Sequence, residues 1–347
     1  MPNSKEQVTQ PYASNNGTNG DKNGQDPKVV VCAKTESSTE KVLPHALAIS
    51  NALGIELKLV HVLESNETLK VPLDPIDWDL RRREAQAFVN ELSKQYESKT
   101  KKILTQVLQG GMSDKICTAL VDEDIVAICR SNAEQAGQIS HTVRQILEKT
   151  ANTVFIVPVT SSSDTFTNYK QIIIPLDGSA RAESVLPLAK KIAQANKAAL
   201  ILIHAIPDSI LTEIEPLNNE DIALRDNLTR RNERVARSYL DRMQENISAS
   251  GIASKCVIAN NGDPRRLLNE AITSESADLL ILSSHGQSGH ADVATGDVTN
   301  YLLANVNVPI MLVRRRNHNG NHNGNNGGNH LYKNVDSKGV RLPTGTE

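Results

Sequence analysis

Aromatic side chains are scarce in this chain: three Phe, one Trp and six Tyr among 347 residues, 3% in all. Stacking platforms for nucleic-acid bases need such rings, so nucleic acid is not an expected partner. Net charge is scarce too, at −2, which removes any general attraction to nucleic acid or an anionic membrane. There are four cysteines, Cys32, Cys117, Cys129 and Cys256, with no CxxC spacing. They read as reduced thiols filling core space. No apolar run approaches the roughly 18 residues of a membrane span, and residues 1–27 lack the apolar segment of a secretory signal. A cytoplasmic location is the expectation. Walker A sequences, nucleophile elbows and metal-ligand spacings are also missing, so no catalytic residue is assigned and the chain is not expected to be an enzyme, with slow ATP hydrolysis as the alternative.

What is present is aliphatic: hydrophobic residues make up 39% of the chain. Its length suits about two domains. Residues 1–27 are rich in Asn, Gly, Gln and Ser, and residues 317–347 begin with an Asn/Gly/His tract. Both compositions bury too little apolar surface to order themselves. Between these tails the chain repeats. VVVCA at 29–33 answers IIIPL at 172–176, and LVHVL at 59–63 answers LIHAI at 202–206, both offset by 143 (172 − 29 and 202 − 59). A period this long indicates duplicated domains: 28–158, a linker at 159–168, and 169–316.

Each unit alternates short β-branched runs with amphipathic stretches. The second reads as strands at 171–176, 198–206, 255–259, 278–284 and 309–313. Helices are expected over 182–195 and roughly 218–248, after Gly262-Asp263-Pro264, and after Gly296. Asp177 or Ser179 can cap the first of these. The first unit has the same order. The expected fold is α/β: two tandem open, parallel five-stranded sheets with helices on both faces.

In such sheets ligands bind beyond the carboxyl ends of the strands. In the second unit the residues there include Pro175, Asp177, His204, Ser283, Gly286, Gly289, Gly296, Asp297, Val298 and Thr299. Glycines permit close backbone approach, and a helix opening at Gly296 offers free amides to an anion. A packing role is the competing reading for His204, because His61 occupies the same strand position in the first unit.

The stretches IIIPLDGSARAESVLPLAKKIA, LILIHAI, NGDPRRLLNEA and ADLLILSSHGQSGHADVATGDVTNYLLANVNVPIMLV resemble the universal stress protein family, in its tandem two-domain form. The resemblance implies an adenine-nucleotide alpha hydrolase-like fold and an adenine-nucleotide ligand, AMP or ATP. ATP-binding members carry Gly, two residues, Gly, nine residues, Gly, then Ser or Thr. Those positions here are Ser283, Gly286, Gly296 and Asp297, two matching and two departing. The resemblance implies Asp177 at the adenosine and His204 in the adenine pocket. It places Gly286 and Gly289 at the phosphates, with 296–299 at their far end. Asp297 puts an anion where a hydroxyl donor belongs, which favours AMP or adenosine, or ATP with Mg²⁺. In the first unit Lys34 replaces the aspartate and Ser140-His141 stand for Gly296-Asp297, so no nucleotide is expected there. Family members dimerise through their last strands. Here 154–157 against 310–313 would make an internal pseudo-dimer, with a homodimer as a further level. The expected role is a nucleotide-responsive regulator of an unidentified protein partner, and the alternative is a ligand-free tandem scaffold.

Overall fold

β-branched runs satisfy their backbone groups by pairing, and the amphipathic stretches between them bury one face on the sheet that results. The computed structural model describes residues 26–64, 75–97, 103–130, 139–160, 167–207, 219–286 and 295–314. Both tails beyond these bounds, most of the 159–168 linker, and Gly289 lie outside the described residues. The first half runs β1 (Lys28–Cys32), α1 (Glu36–Leu53), β2 (Glu56–Leu63), α2 (Pro75–Tyr96) and β3 (Ile103–Gln109). It continues with α3 (Met112–Ala119), β4 (Ile125–Arg130), α4 (His141–Lys149) and β5 (Thr153–Pro158). The second half runs β6 (Gln171–Pro175), α5 (Ala180–Glu183), α6 (Leu186–Asn196), β7 (Ala199–Pro207) and α7 (Asn219–Ser248). It ends with β8 (Ser254–Gly262), α8 (Pro264–Ser274), β9 (Leu279–Ser283), α9 (Asp297–Asn305) and β10 (Ile310–Val313). The helix expected over 182–195 is split into α5 and α6, because Pro187 lacks the N–H that a continuous helix would use and sits instead in the first turn of α6.

The strand order is β3-β2-β1-β4-β5-β10-β9-β6-β7-β8. Each half therefore has the same order, mirrored across the middle. Neighbours are parallel within each half, and the β5–β10 seam is antiparallel, with Ile156 opposite Ile310, Phe155 opposite Met311 and Val154 opposite Leu312. The two expected five-stranded sheets are thus one sheet of ten strands. Both last strands are buried throughout, and pairing removes two open edges at once.

Two arginines tie the helices across this seam. Arg130, at the end of β4, donates to the Leu303 carbonyl at 2.8 Å, and Arg314 donates to the Leu147 carbonyl at 2.6 Å. Each guanidinium meets the carbonyl-rich end of a helix from the other half, where the helix dipole favours a cation. The cores are aliphatic, as the composition requires. All four cysteines are free thiols, and burial pushes that of Cys32 up to about 12.

Beneath the seam, on the α1 and α6 face, His45 of α1 hydrogen-bonds through Nδ1 to the Tyr169 hydroxyl at 2.8 Å. Both residues are buried, at 6% and 1% exposure. His45 Nε2 is buried without a hydrogen-bond partner among the described residues. Burial lowers the His45 pKa from 6.5 to about 4, so the ring folds neutral. Its contribution is complete above the unfolded-state pKa near 6.5 and is lost as pH falls through 6.5 toward 4. A shift of that size corresponds to about 3 kcal/mol. Urea unfolding between about pH 7.5 and about pH 4 should show the loss, and a His45→Gln variant should show much less of this slope.

Candidate functional site

The strand order reverses direction at β6 and β9, which are neighbours in the sheet, and their carboxyl ends open the crevice expected of such a switch point. A cavity of about 340 Å³ sits there, within the usual scale of small-molecule sites. Pro175, Asp177, Ser283, Gly286, Gly296, Asp297, Val298 and Thr299 all line it. The loops after β6 and β9 and the start of α9 are thereby brought together from positions over 100 residues apart. Gly289 lies outside the described residues.

At one end stands Asp177. Gly178 takes φ +82°, a left-handed turn that suits glycine. It brings Ser179 back so that its N–H and hydroxyl donate to Asp177 Oδ1 at 3.0 and 2.6 Å. Ser179 Oγ in turn accepts from the Ala182 amide at 3.1 Å. Of the two capping candidates, Ser179 is therefore the cap of α5, and Asp177 is held by the cap. The other carboxylate oxygen, Oδ2, lies against Gly286, where any Cβ would overlap it. Any side chain at Gly286 would require the Asp177 carboxylate to move.

At the other end α9 begins. Its N-cap is Gly296, which brings no side-chain hydrogen bond to the first turn. Gly296 N–H donates to the Ser284 carbonyl at 2.9 Å, and the Thr299 hydroxyl donates to the Ser283 carbonyl at 3.3 Å. These bonds fix the α9 N-terminus against the end of β9. The Ser283 hydroxyl donates to the His285 carbonyl at 2.6 Å. The first half differs at the matching point. Ser140 caps α4, its Oγ accepting from the Val143 amide at 3.2 Å. A protein side chain there takes an amide, for which the matching Gly296 has no side chain.

His204 is not in the lining of this cavity. Its Nδ1 bonds the Leu176 carbonyl at 2.7 Å and its ring meets Tyr239 edge-on at 6.3 Å. It lines an adjoining space with Tyr239 and Arg242, and Asp177 borders both that space and the cavity. His61 does the same in the first half, bonding the Ala33 carbonyl at 2.7 Å and meeting Phe88 edge-on at 5.5 Å. The repeated histidine locks the end of one strand to its neighbour in both halves.

Residues that motif reading missed form the apolar walls, among them Ile203 and Leu282 from strand ends and Pro264 and Leu268 from α8. The helix start at Gly262-Asp263-Pro264 was the available signal for the last two. Thr295 and Asn300 close the rim through mutual hydrogen bonds.

The model of the universal stress protein family matches residues 168–314. A universal stress protein of Methanocaldococcus jannaschii is 25% identical over 158 residues, covering 43% of this chain and 97% of that protein. One from Thermus aquaticus is 28% identical over 149 residues, covering 42% of this chain and 99% of the other. The crystal structure of a universal stress protein from Archaeoglobus fulgidus superposes with a TM-score of 0.60 at 16% identity, over 83% of this chain and 98% of that one. That likeness is one of fold, and it spans both halves.

Proposed function

We propose, on the premise that this chain belongs to the universal stress protein family through residues 168–314, that its second half binds an adenine nucleotide in the crevice between β6 and β9. The carrying observation is one cavity with a fixed carboxylate at one end and an uncapped helix N-terminus at the other. Asp177 suits the donor groups of an adenosine. The apolar walls from Ile203, Ala205, Pro264 and Leu268 suit a flat base. The α9 N-terminus suits phosphate. Asp297, in the first turn of α9, disfavours negative charge beyond the first phosphate, so AMP or adenosine is preferred. Mg²⁺, a hard cation that takes carboxylate and phosphate oxygens together, would make Asp297 a partner for ATP.

The first half is read as a scaffold domain, with Lys34 at the Asp177 position and Ser140 capping α4. Occupancy of the second half would alter the affinity of the molecule for a protein partner in the cytoplasm, by binding and not by catalysis. Calorimetry on the full chain tests the site. AMP should bind without metal, ATP should bind tightly only with Mg²⁺, and Asp177→Ala should weaken AMP at least about tenfold. Absence of binding by every adenine compound, or equal AMP affinity in Asp177→Ala, would overturn the reading.

A further inference from the structure

Pro264 and Leu268 of α8 face the same cavity as the start of α9, and Arg265 stands between them in sequence. Its guanidinium carbon lies 6.0 Å from the centroid of the Tyr301 ring, and Tyr301 is one turn along α9 from Asp297. A cation is therefore held beside the first two turns of the helix whose N-terminus is uncapped. Its present partner is Asp263, with Nε at 3.0 Å from each carboxylate oxygen. The pair is open to water, with side chains 48% and 42% exposed. Such an ion pair is weak and easily exchanged for a better anion. Asp263 also has a second task that does not need the guanidinium, because its Oδ1 accepts the Arg265 backbone N–H at 2.8 Å and caps α8.

The two charges at this rim act in opposite senses. Asp297 repels phosphates beyond the first from the helix end. Arg265, reaching across from α8, supplies a planar double donor that matches a phosphate face. Its guanidinium charge is reinforced chiefly by Asp263 and, more weakly, by Asp297 and Tyr301.

Resting on the nucleotide reading above, we infer that Arg265 is a phosphate-binding residue of this cavity, exchanging Asp263 for the phosphate of a nucleoside monophosphate beside the N-terminus of α9. Arg265 then separates monophosphate from free nucleoside, and Asp297 separates monophosphate from triphosphate. Calorimetry of the full chain with AMP and with adenosine, metal-free, tests this for wild type, Arg265→Gln and Arg265→Lys. The ratio of AMP to adenosine affinity should fall about tenfold in Arg265→Gln and by less in Arg265→Lys. Tyr301→Leu, which removes the ring beneath the guanidinium, should lower the ratio about threefold and serves if Arg265→Gln melts early. Binding of both ligands with an unchanged ratio in Arg265→Gln and Tyr301→Leu overturns the assignment and leaves the cavity reading standing. Wild-type protein that binds neither ligand overturns the cavity reading, and the role of Arg265 with it.

Discussion

Asp297→Ser should tighten metal-free ATP binding about a hundredfold. The carboxylate opens α9 at the rim of the cavity, where the family pattern has a hydroxyl. Replacing a donor to a charged group by a group that cannot donate loses about 1.5–3 kcal/mol. A like charge at about 4 Å adds up to about 4 kcal/mol at an effective dielectric near 20. The positive end of α9 offsets part of that repulsion, and so does Arg265. A net of about 3 kcal/mol is the working figure, and about 1.4 kcal/mol is tenfold in affinity. Since micromolar binding amounts to about 8 kcal/mol, the wild-type site would hold metal-free ATP only at about 0.1 mM. AMP places no charge beyond the first phosphate, so its affinity should change by less than about threefold. The prediction is read by titrating both nucleotides into wild type and variant with chelator present. Unchanged ATP affinity would mean that the carboxylate does not meet the terminal phosphates.

Phe155→Ala should destabilise the whole molecule by about 4 kcal/mol, the size of a large-to-small change at a fully buried aromatic. Phe155 is 0% exposed at the centre of β5. It pairs with Met311 across the antiparallel seam, and its ring meets His45 edge-on at 6.4 Å. The core on this face runs without interruption from β1 residues such as Val29 to β6 residues such as Ile174. Loss of the ring should therefore lower one shared unfolding transition. Chemical denaturation followed by circular dichroism measures it. Two separate transitions, with only the first-half one displaced, would show that the halves do not share their core. A net stability of about 5–15 kcal/mol is usual for a folded protein, so this single change removes a large part of it.

The order of elements could be read along the chain because strand and helix periodicities are local. The two His-bearing strands end alike: the Ala33 and Leu176 carbonyls are bonded by His61 and His204 in the same way. The contrast between Gly296 and Ser140 was also legible, since whether a helix start is capped depends on one residue and its immediate successors. The side of the sheet that His204 faces was harder to assign. Alternation along a strand tells that neighbours point to opposite faces, and only the packing of α7 and α8 tells which face holds the crevice.

By itself, then, the sequence determined an α/β chain with aliphatic cores and the chemical groups at each strand end, because these follow from residue type and short-range spacing. Tertiary structure alone decided that the Asp177 carboxylate fills the missing side chain of Gly286, 109 residues away (286 − 177). It alone placed Arg265 over Tyr301 and buried His45 against Tyr169 of the other half. Each of these joins segments whose separation in sequence carries no periodic signal, and their meeting is set by how two helices and a shared sheet pack.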